Sequence, residues 1–329
     1  MRAPDFWTRD GILARTLQPA AYLYDMAGRL RWAMAKPWRA GVPVICIGNL
    51  VAGGAGKTPV ALALGLALAR RGIAAHFLSR GHGGRLAGPV RVDPARHGAA
   101  DVGDEPLLLA AAGPAWIARD RAAGARAAVA ASAQAIIMDD GFQNPGLAKD
   151  LSLLVIDGAY GLGNGRVHPA GPLRETVAAG LARADDVVLL QSGETPAALP
   201  ALQRPPLTAR LIPGADALAL RGTRVVAFAG IGRPQRFFHT VRELGAELVG
   251  QQAFPDHHPY GEDEIWQLVD LAQSLDARAV TTAKDAVRLP PEARAMVTVI
   301  DVALEFDSPD DLDDLLDRFL NHAAKAGAP

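Results

Sequence analysis

The residues with the clearest chemical signature lie in a glycine-rich segment, residues 48–58, with the sequence GNLVAGGAGKT. It ends in Gly-Lys-Thr, as a phosphate-binding P-loop does, although Val51 stands where the strict pattern has glycine. In such a loop, backbone N–H groups at a helix N-terminus surround phosphate oxygens, the lysine reaches the β- and γ-phosphates, and the threonine hydroxyl binds Mg²⁺. The alternative is an ordinary glycine turn that caps a helix. We expect a nucleoside triphosphate to bind through Gly53, Gly54, Ala55, Gly56, Lys57 and Thr58.

A pair of carboxylates ends the apolar run AIIMDD at residues 135–140. An apolar strand that ends in an acid places that acid at the carboxyl edge of a sheet, where magnesium and phosphates bind in α/β proteins. The alternative is a solvated pair at the end of a strand. Because a P-loop precedes it in the chain, we expect Asp139 or Asp140 to bind Mg²⁺ together with Thr58.

Both candidate sites need a strand, a loop and a helix to position them. The apolar run at residues 44–47 predicts a buried strand before the P-loop, and residues 57–71 predict a helix after it. Further strands are predicted at 75–79, 135–138, 151–156 and 187–190, with helices near 105–112 and 119–132. This alternation predicts an α/β fold, a P-loop NTPase-like, mainly parallel sheet flanked by helices.

The pattern loosens near residues 205–213 and then resumes. It predicts strands at 224–229 and 279–282 and helices at 234–244 and 262–275. Ser308 is a plausible N-cap for a last helix at about 309–324, with acidic residues near the positive end of its dipole. We therefore expect a P-loop domain at 41–214, a second, smaller α/β domain at 215–305 and a C-terminal helix at 306–329, whose packing partner is left open.

Residues 1–40 form a separate N-terminal segment that is rich in aromatic and basic side chains. Pro19 and Pro37 delimit a predicted amphipathic helix. Its apolar stripe either packs on the body of the protein or lies in a membrane interface, with bases near anionic lipid. The stripe consists of Leu23, Ala27, Leu30 and Met34.

Composition excludes several classes of protein. The chain has 34 Lys plus Arg and 35 Asp plus Glu, a formal net charge of −1, so no strong field attracts nucleic acid. Its one cysteine, Cys46, lies in an apolar run, which fits a reducing, cytoplasmic setting. No apolar run reaches the roughly 18 residues of a spanning helix. Because Asp5 and Asp10 interrupt any secretory signal, we expect a protein that stays inside the cell.

Seven short motifs follow one another along most of the chain. Together they resemble the tetraacyldisaccharide 4'-kinase family, the lipid A 4'-kinases, and DDGFQ and GDEP are far more specific than the P-loop alone. The resemblance implies a P-loop kinase that uses ATP and Mg²⁺ to phosphorylate the 4'-hydroxyl of tetraacyldisaccharide 1-phosphate, forming lipid IVA in lipid A (lipopolysaccharide) biosynthesis. The motifs are GNL (48–50), GGAGKTP (53–59), SRG (79–81), GDEP (103–106), DDGFQ (139–143), PAGPLRE (169–175) and FPDHH (254–258).

The resemblance also implies roles for particular residues. A carboxylate in the GDEP motif, here Asp104, is paired in the family with a histidine, here His257 rather than His258, to accept the hydroxyl proton, while Lys57 acts on the phosphates. Phosphoryl transfer mainly requires positioning and charge neutralisation, so a carboxylate oriented by imidazole can accept a proton late in the reaction. From the sequence alone, we would expect either histidine to be a loop residue with a satisfied hydrogen bond.

Further contacts are implied around the PLRE motif. Glu175 is expected to help hold Mg²⁺ and Arg174 to contact phosphate, the alternative being a solvated ion pair. Arg80 follows an apolar strand and is expected to meet the substrate or a phosphate, and Gln143 the nucleotide or the substrate.

The enzyme must bind a lipid substrate at a bilayer surface, so the resemblance favours the interfacial N-terminal helix over the packed one. It implies a peripheral protein on the cytoplasmic face of the bacterial inner membrane, with an acylated glucosamine disaccharide lipid as its partner. Neither nucleic acid nor an obligate protein partner is expected. The main rival hypothesis is a P-loop ATPase switch that hydrolyses ATP without a lipid acceptor.

Overall fold

The computed structural model describes residues 4–191, 197 and 199–326, with the side chains of 215 and 322–326 left out. The chain divides into two compact units. The smaller unit is Ile212–Ala303, and the larger one comprises the described residues before and after it. The C-terminal helix, whose packing partner the sequence leaves open, therefore belongs to the larger unit.

The strands form one sheet in each unit. The nine-stranded sheet has the order β13-β8-β7-β6-β1-β5-β2-β4-β3, and the four-stranded sheet has the order β10-β9-β11-β12. The strands are β1 (Val44–Gly48), β2 (Ala75–Ser79), β3 (Val90–Arg91), β4 (Ala115–Ile117), β5 (Ala135–Asp139), β6 (Leu151–Asp157), β7 (Asp186–Gln191), β8 (Leu207–Pro213), β9 (Arg224–Ala229), β10 (Glu247–Ala253), β11 (Arg278–Thr282), β12 (Thr298–Ile300) and β13 (Val302–Phe306).

The centre of the large sheet is parallel from β4 through β8, and the short strand β3 runs antiparallel to β4. Every residue of β1, β5 and β6 is buried. Strands covered on both faces read as continuous apolar runs, which is why the sequence predicts them. The predicted mainly parallel P-loop fold is confirmed, and so is the presence of a second, smaller sheet.

Helices connect these strands. The helix α3 (Lys57–Arg70) follows β1. It buries one face, formed by Val60, Ala61, Leu64 and Leu68, and this packing holds its first residues at the edge of the sheet. The helices are α1 (Ile12–Thr16), α2 (Gln18–Met34), α3 (Lys57–Arg70), α4 (Ala99–Val102), α5 (Asp104–Ala112), α6 (Arg121–Ala130), α7 (Val177–Leu181), α8 (Ala215–Leu218), α9 (Pro234–Glu243), α10 (Glu262–Ser274), α11 (Ala283–Ala286), α12 (Pro291–Arg294) and α13 (Pro309–Ala326).

Ion pairs join α13 to the larger unit. The Arg71 guanidinium lies 2.7 Å from an Asp313 carboxylate oxygen and 2.9 Å from one of Asp317. The Arg318 guanidinium lies 3.1 Å from a carboxylate oxygen of Asp186, the first residue of β7. Exposed ion pairs of this kind are weak individually, so the buried side chains Leu315, Leu316 and Phe319 carry most of the packing.

The smaller unit is a parallel four-stranded sheet with an apolar cluster on each face. Phe237, Phe238 and Val241 of α9 belong to one cluster. The other cluster is formed largely by α10, through Ile265, Leu268, Val269 and Ala272. Helices on both faces of a parallel sheet give an α/β layer structure of the same class as the larger unit.

The predicted N-terminal helix is α2, and most of its apolar stripe faces solvent. Leu23, Leu30 and Met34 are 63%, 59% and 72% exposed, so the packed alternative is wrong for these three residues. Tyr22 and Met26 are also exposed. Among the described residues, no helix is both long and apolar enough to cross a membrane.

Candidate active site

The P-loop joins the buried strand β1 to α3. Gly56, the N-cap of α3, has φ +80°, and a Cβ there would lie 2.1 Å from Cδ1 of Leu190. Gly53 has φ +126°, in the region that disfavours any side chain. The predicted strand, glycine loop and helix are thus present, and the helix begins at Lys57, where its free N–H groups can meet anionic oxygens.

The Lys57 ammonium lies among oxygens of the loop and of the neighbouring strand end. Its Nζ is 3.2 Å from Oδ1 of Asn49, 3.4 Å from the Gly53 carbonyl oxygen and 3.5 Å from Oδ1 of Asp140. Asn49 is buried and donates through Nδ2 to the Val51 carbonyl at 2.8 Å. Sequence reasoning assigned no role to Asn49, although it lies inside the GNL motif.

Asp139 and Thr58 are brought together by strand register. Because β1 and β5 are parallel with Ile47 opposite Asp139, the end of β5 lies beside the start of α3. The Thr58 hydroxyl donates to Oδ2 of Asp139 at 2.9 Å, while the buried Oδ1 of Asp139 has no hydrogen-bond partner. Burial raises the pKa of Asp139 to about 6, opposed by Lys57. These oxygens could hold a hard divalent cation.

Asp140 is held ionised beside this pair. Burial alone would raise its pKa, but Lys57 and Arg174 outweigh burial and lower the pKa to about 2. Nη1 of Arg174 lies 2.9 Å from Oδ1 of Asp140. Asp140 has φ +54°, a left-handed conformation that turns the chain sharply after β5. The two adjacent carboxylates therefore differ in pKa, and a bound cation would lower the pKa of Asp139.

A hydrogen-bonded network connects Gln143 with the PLRE motif. Nε2 of Gln143 donates to the Asn49 carbonyl at 2.9 Å and to Oε1 of Glu175 at 3.1 Å, and its Oε1 accepts from Arg174 at 3.3 Å. Oε2 of Glu175 accepts from Arg183 at 2.5 Å. Arg174 and Glu175 are thus engaged with different partners, Asp140 and Arg183. No spacing in the sequence signalled Arg183.

This network bears on the metal role predicted for Glu175. Across the described ranges, no three His, Cys, Asp or Glu side chains lie close enough to hold a metal ion together. Both carboxylate oxygens of Glu175 accept hydrogen bonds from side chains. The oxygen pair of Thr58 and Asp139 is therefore the better-formed candidate for Mg²⁺, and the role of Glu175 stays a prediction.

Two further predicted residues lie at the same edge of the large sheet. Arg80 is exposed and directly follows β2, which is parallel to β5. Asp104 is the first residue of α5 and only 4% exposed. Because α5 leads into the parallel strand β4, its N-terminus lies at the carboxyl edge. Gly103 makes the tight entry possible, since its φ is +90° and a Cβ there would lie 2.3 Å from the His82 carbonyl oxygen.

The two candidate histidines belong to the smaller unit and differ in their surroundings. Nε2 of His258 lies 2.7 Å from Oε2 of Glu264, and the His258 ring stacks on Phe254 with centroids 4.7 Å apart. His257 has φ +58°, and its Nε2 lies 3.4 Å from Nζ of Lys284. Asp104 and His257 thus lie in different units, and their pairing stays a prediction.

Comparison with known proteins gives one consistent result. Residues 13–321 match the family model described as tetraacyldisaccharide-1-P 4'-kinase. A tetraacyldisaccharide 4'-kinase of Rhodospirillum centenum is 58% identical over 98% of this chain and 97% of its own length, and one of Rhodospirillum rubrum is 55% identical over 97% and 98%. The crystal structure of LpxK from Aquifex aeolicus in complex with ATP has a TM-score of 0.71 and 26% identity, covering 94% of this chain and 99% of that one.

Proposed function

This chain belongs to the tetraacyldisaccharide-1-P 4'-kinase family, and on that premise we propose that it transfers the γ-phosphate of ATP to the 4'-hydroxyl of tetraacyldisaccharide 1-phosphate. The product is lipid IVA, in the biosynthesis of lipid A. The observation that carries this function is the cluster of Lys57, Thr58 and Asp139 at the carboxyl edge of a parallel sheet. It is the place where α/β proteins bind phosphate groups.

ATP is bound by the loop 53–58. Backbone N–H groups at the start of α3 surround the phosphates, and Lys57 exchanges its loop oxygens for those of the β- and γ-phosphates. Thr58 and Asp139 would hold Mg²⁺, since Oδ1 of Asp139 is buried without a hydrogen-bond partner. When bound, the ion neutralises charge that develops on the phosphoryl oxygens.

Asp104 accepts the proton of the acceptor hydroxyl. As the hydroxyl oxygen forms its bond to the γ-phosphorus, the bond from that phosphorus to the β,γ-bridging oxygen breaks, ADP leaves and the proton passes to the carboxylate. Asp104 is the first residue of α5, at the positive end of the helix dipole. His257, which the resemblance to the family implies, is the histidine partner that we favour.

The remaining predicted residues contact the substrates. Arg80 is exposed at the carboxyl edge and is available to an anionic group of the lipid headgroup or the nucleotide. Arg174 and Gln143 lie in the network around Asp140 and Glu175, next to the phosphate site. We assign Arg174 to phosphate and Gln143 to the nucleotide or the acceptor sugar, while Glu175 helps to keep both in place.

The protein reaches the lipid acceptor at a membrane surface through α2. Its exposed apolar residues and the basic residues on the same segment suit an amphipathic helix that lies in the headgroup region. The protein is thus peripheral on the cytoplasmic face of the inner membrane, with the disaccharide lipid as its partner.

The first test is a transfer assay with ATP labelled on the γ-phosphate and tetraacyldisaccharide 1-phosphate dispersed in detergent. We expect label on the lipid, lost in Asp104→Ala while ATP still binds. Release of free phosphate at a rate indifferent to the lipid would instead support an ATPase switch. Full turnover in Asp104→Ala would remove this residue as the proton acceptor.

A further inference from the structure

The N-terminal helix α2 contacts the candidate active site through two of its residues. Its exposed residues include Leu23, Leu30 and Met34, whereas Arg31 and Trp32 contact residues that follow β5 and precede β7. A helix that served only as a membrane anchor would not need contacts with residues around the candidate active site.

Arg31 fixes the backbone of the DDGFQ motif. Its Nη2 donates to the main-chain carbonyl of Gln143 at 2.7 Å. The side chain of the same glutamine bonds the Asn49 carbonyl, Glu175 and Arg174. Gln143 is therefore held from α2 through its main chain and from the phosphate site through its side chain.

Trp32 fixes Arg183, which in turn holds Glu175. The Arg183 guanidinium carbon lies 4.5 Å from the Trp32 ring centroid and 5.1 Å from that of Phe142. Nη2 of this arginine bonds Glu175 at 2.5 Å, and Nη1 bonds the Ala179 carbonyl at 3.1 Å. Two aromatic faces and two acceptors leave the guanidinium little freedom of orientation.

A second cation lies on the same ring. Nζ of Lys149 is 5.0 Å from the Trp32 centroid and donates to the Phe142 carbonyl at 2.8 Å. The Trp32 ring thus lies against two cations. Lys149 bonds the Phe142 carbonyl, and Arg183 bonds Glu175. Truncation of this one side chain removes a support shared by Phe142 and Glu175.

We propose that Arg31 and Trp32 are positioning residues for phosphoryl transfer, acting through Gln143 and through Arg183 on Glu175. This inference rests on the proposed function. The exposed apolar residues of α2 contact the lipid surface. Arg31 and Trp32 instead hold Gln143 and Glu175 in the positions that turnover requires. A displacement of about 1 Å at a reacting site can reduce the rate about 100-fold. Residues that hold Gln143 and Glu175 in place can therefore affect kcat without touching the phosphates.

The experiment compares the contacts of Arg31 and Trp32 with an exposed apolar residue of the same helix. Trp32→Leu and Arg31→Ala remove the inner contacts, and Leu23→Ser, on the exposed face, is the matched control. Transfer of labelled phosphate is measured with the acceptor saturating in detergent micelles and with the acceptor in phospholipid vesicles. We expect Trp32→Leu and Arg31→Ala to lower kcat roughly tenfold in both settings with little change in KM for ATP, and Leu23→Ser to raise KM for the acceptor only in vesicles.

A conservative variant separates positioning from simple packing. Trp32→Phe keeps an aromatic face for Arg183, whereas Trp32→Leu keeps apolar bulk without it. We expect Trp32→Phe to retain most of the kcat that Trp32→Leu loses. Equal kcat in the two variants, or an unchanged kcat in Trp32→Leu and Arg31→Ala, would overturn the inference.

Hydrogen exchange supplies a readout that does not depend on turnover. In Trp32→Leu we expect faster amide exchange at residues 142–143 and 175–183, with exchange in α3 unchanged. Absence of transfer by the wild-type protein would refute the proposed function and, with it, the role of these residues in transfer, even if exchange confirms the contacts. Unchanged exchange there in an active Trp32→Leu variant would refute the inference alone.

Discussion

At the scale of single residues, we expect phosphate binding to depend most directly on the charge of Lys57. Its side chain is 11% exposed, and its ammonium lies among oxygens of Asn49, Gly53 and Asp140. These oxygens hold the ammonium at the loop before the nucleotide arrives, so little reorganisation is needed when phosphate oxygens replace them.

Replacement of Lys57 by methionine keeps most of the side-chain length and removes the charge. We expect kcat/KM for ATP to fall by about 100-fold or more, corresponding to about 3 kcal/mol of lost transition-state stabilisation. Steady-state transfer kinetics measure this loss, and Lys36→Met, at an exposed lysine, is the control. Similar kinetics in both variants would contradict a role for Lys57 on the phosphates.

His76 makes stability depend on pH. It is buried in β2, where its Nδ1 accepts from the Trp116 indole N–H at 3.3 Å. Burial, and secondarily the charge of Arg91, lowers the pKa of His76. A folded-state pKa below the unfolded value means that this contribution is complete above the unfolded pKa, about 6.5, and is lost as pH falls below it.

We therefore expect the free energy of unfolding to decrease from pH 7.5 to pH 5, and His76→Gln to decrease less over the same interval. Urea denaturation at both pH values measures the difference. His239→Gln is the control, because this histidine is exposed. An equal pH dependence in wild type and His76→Gln would show that other groups carry it.

The chemistry of the site could be predicted where residue types lie in short motifs. The sequence indicated Lys57, Thr58 and Asp139 because a strand, a glycine loop and a strand-end acid are local patterns. In the structure the Thr58 hydroxyl lies 2.9 Å from Asp139, and the Lys57 ammonium lies 3.5 Å from the adjacent Asp140. Arg183 and Trp32 could not be found in this way. Their contact depends on the packing of α2 near residues far along the chain, which no local spacing encodes.

At the scale of elements, the end of β1 approaches the turn after β5 very closely. A Cβ at Gly48 would lie 2.2 Å from Cβ and 3.1 Å from the backbone nitrogen of Phe142. The glycine that opens the GNL motif is thus required by packing between two segments, in addition to any role in the phosphate loop.

We expect Gly48→Ala to cost about 1–3 kcal/mol of stability, because backbone atoms of Phe142 must move to admit the methyl group. Gly54→Ala is the control, since a Cβ there meets nothing within 4 Å. Chemical denaturation of the two variants measures the difference. Equal stability would mean that the turn after β5 yields easily.

Two of the strands missed by sequence reasoning, β8 and β10, have a weak pattern. β8 lies where prolines loosen the periodicity, and β10 has mixed burial with three exposed residues at its end. Such strands are specified by the neighbours they pair with, β7 and β9, more than by their own residues. The buried central strands carry continuous apolar runs and were predicted to within one or two residues.

At the scale of the whole molecule, the smaller unit has its own buried ionic centre. Asp285 is fully buried and accepts hydrogen bonds from the Gly230 N–H, the Tyr260 hydroxyl and Arg288 at 2.8, 2.7 and 2.7 Å. Arg288 also donates to the carbonyl oxygens of Gly230 and His258. The end of β9 and the segment with the two candidate histidines are thereby fixed to α11.

Asp285→Ala leaves the buried charge of Arg288 without its carboxylate, so we expect a loss of about 3–5 kcal/mol within the smaller unit. Hydrogen exchange should accelerate across residues 212–303 and remain unchanged in α3 and β1. Glu243→Ala, which removes an exposed pair with His239, is the control. Uniform acceleration along the whole chain would show that the two units unfold together.

Cys46 has a practical consequence for spectroscopy. It is the one cysteine in the sequence, it is buried in β1, and burial raises its pKa to about 11. Almost no thiolate exists at neutral pH, so maleimide and methanethiosulfonate reagents should leave the folded protein unmodified. A cysteine introduced on the exposed face of α2, as in Leu23→Cys or Leu30→Cys, would then be the single labelled position. Spin-label accessibility to oxygen and to a nickel chelate could thus report the immersion depth of each turn of the helix without prior removal of a native thiol.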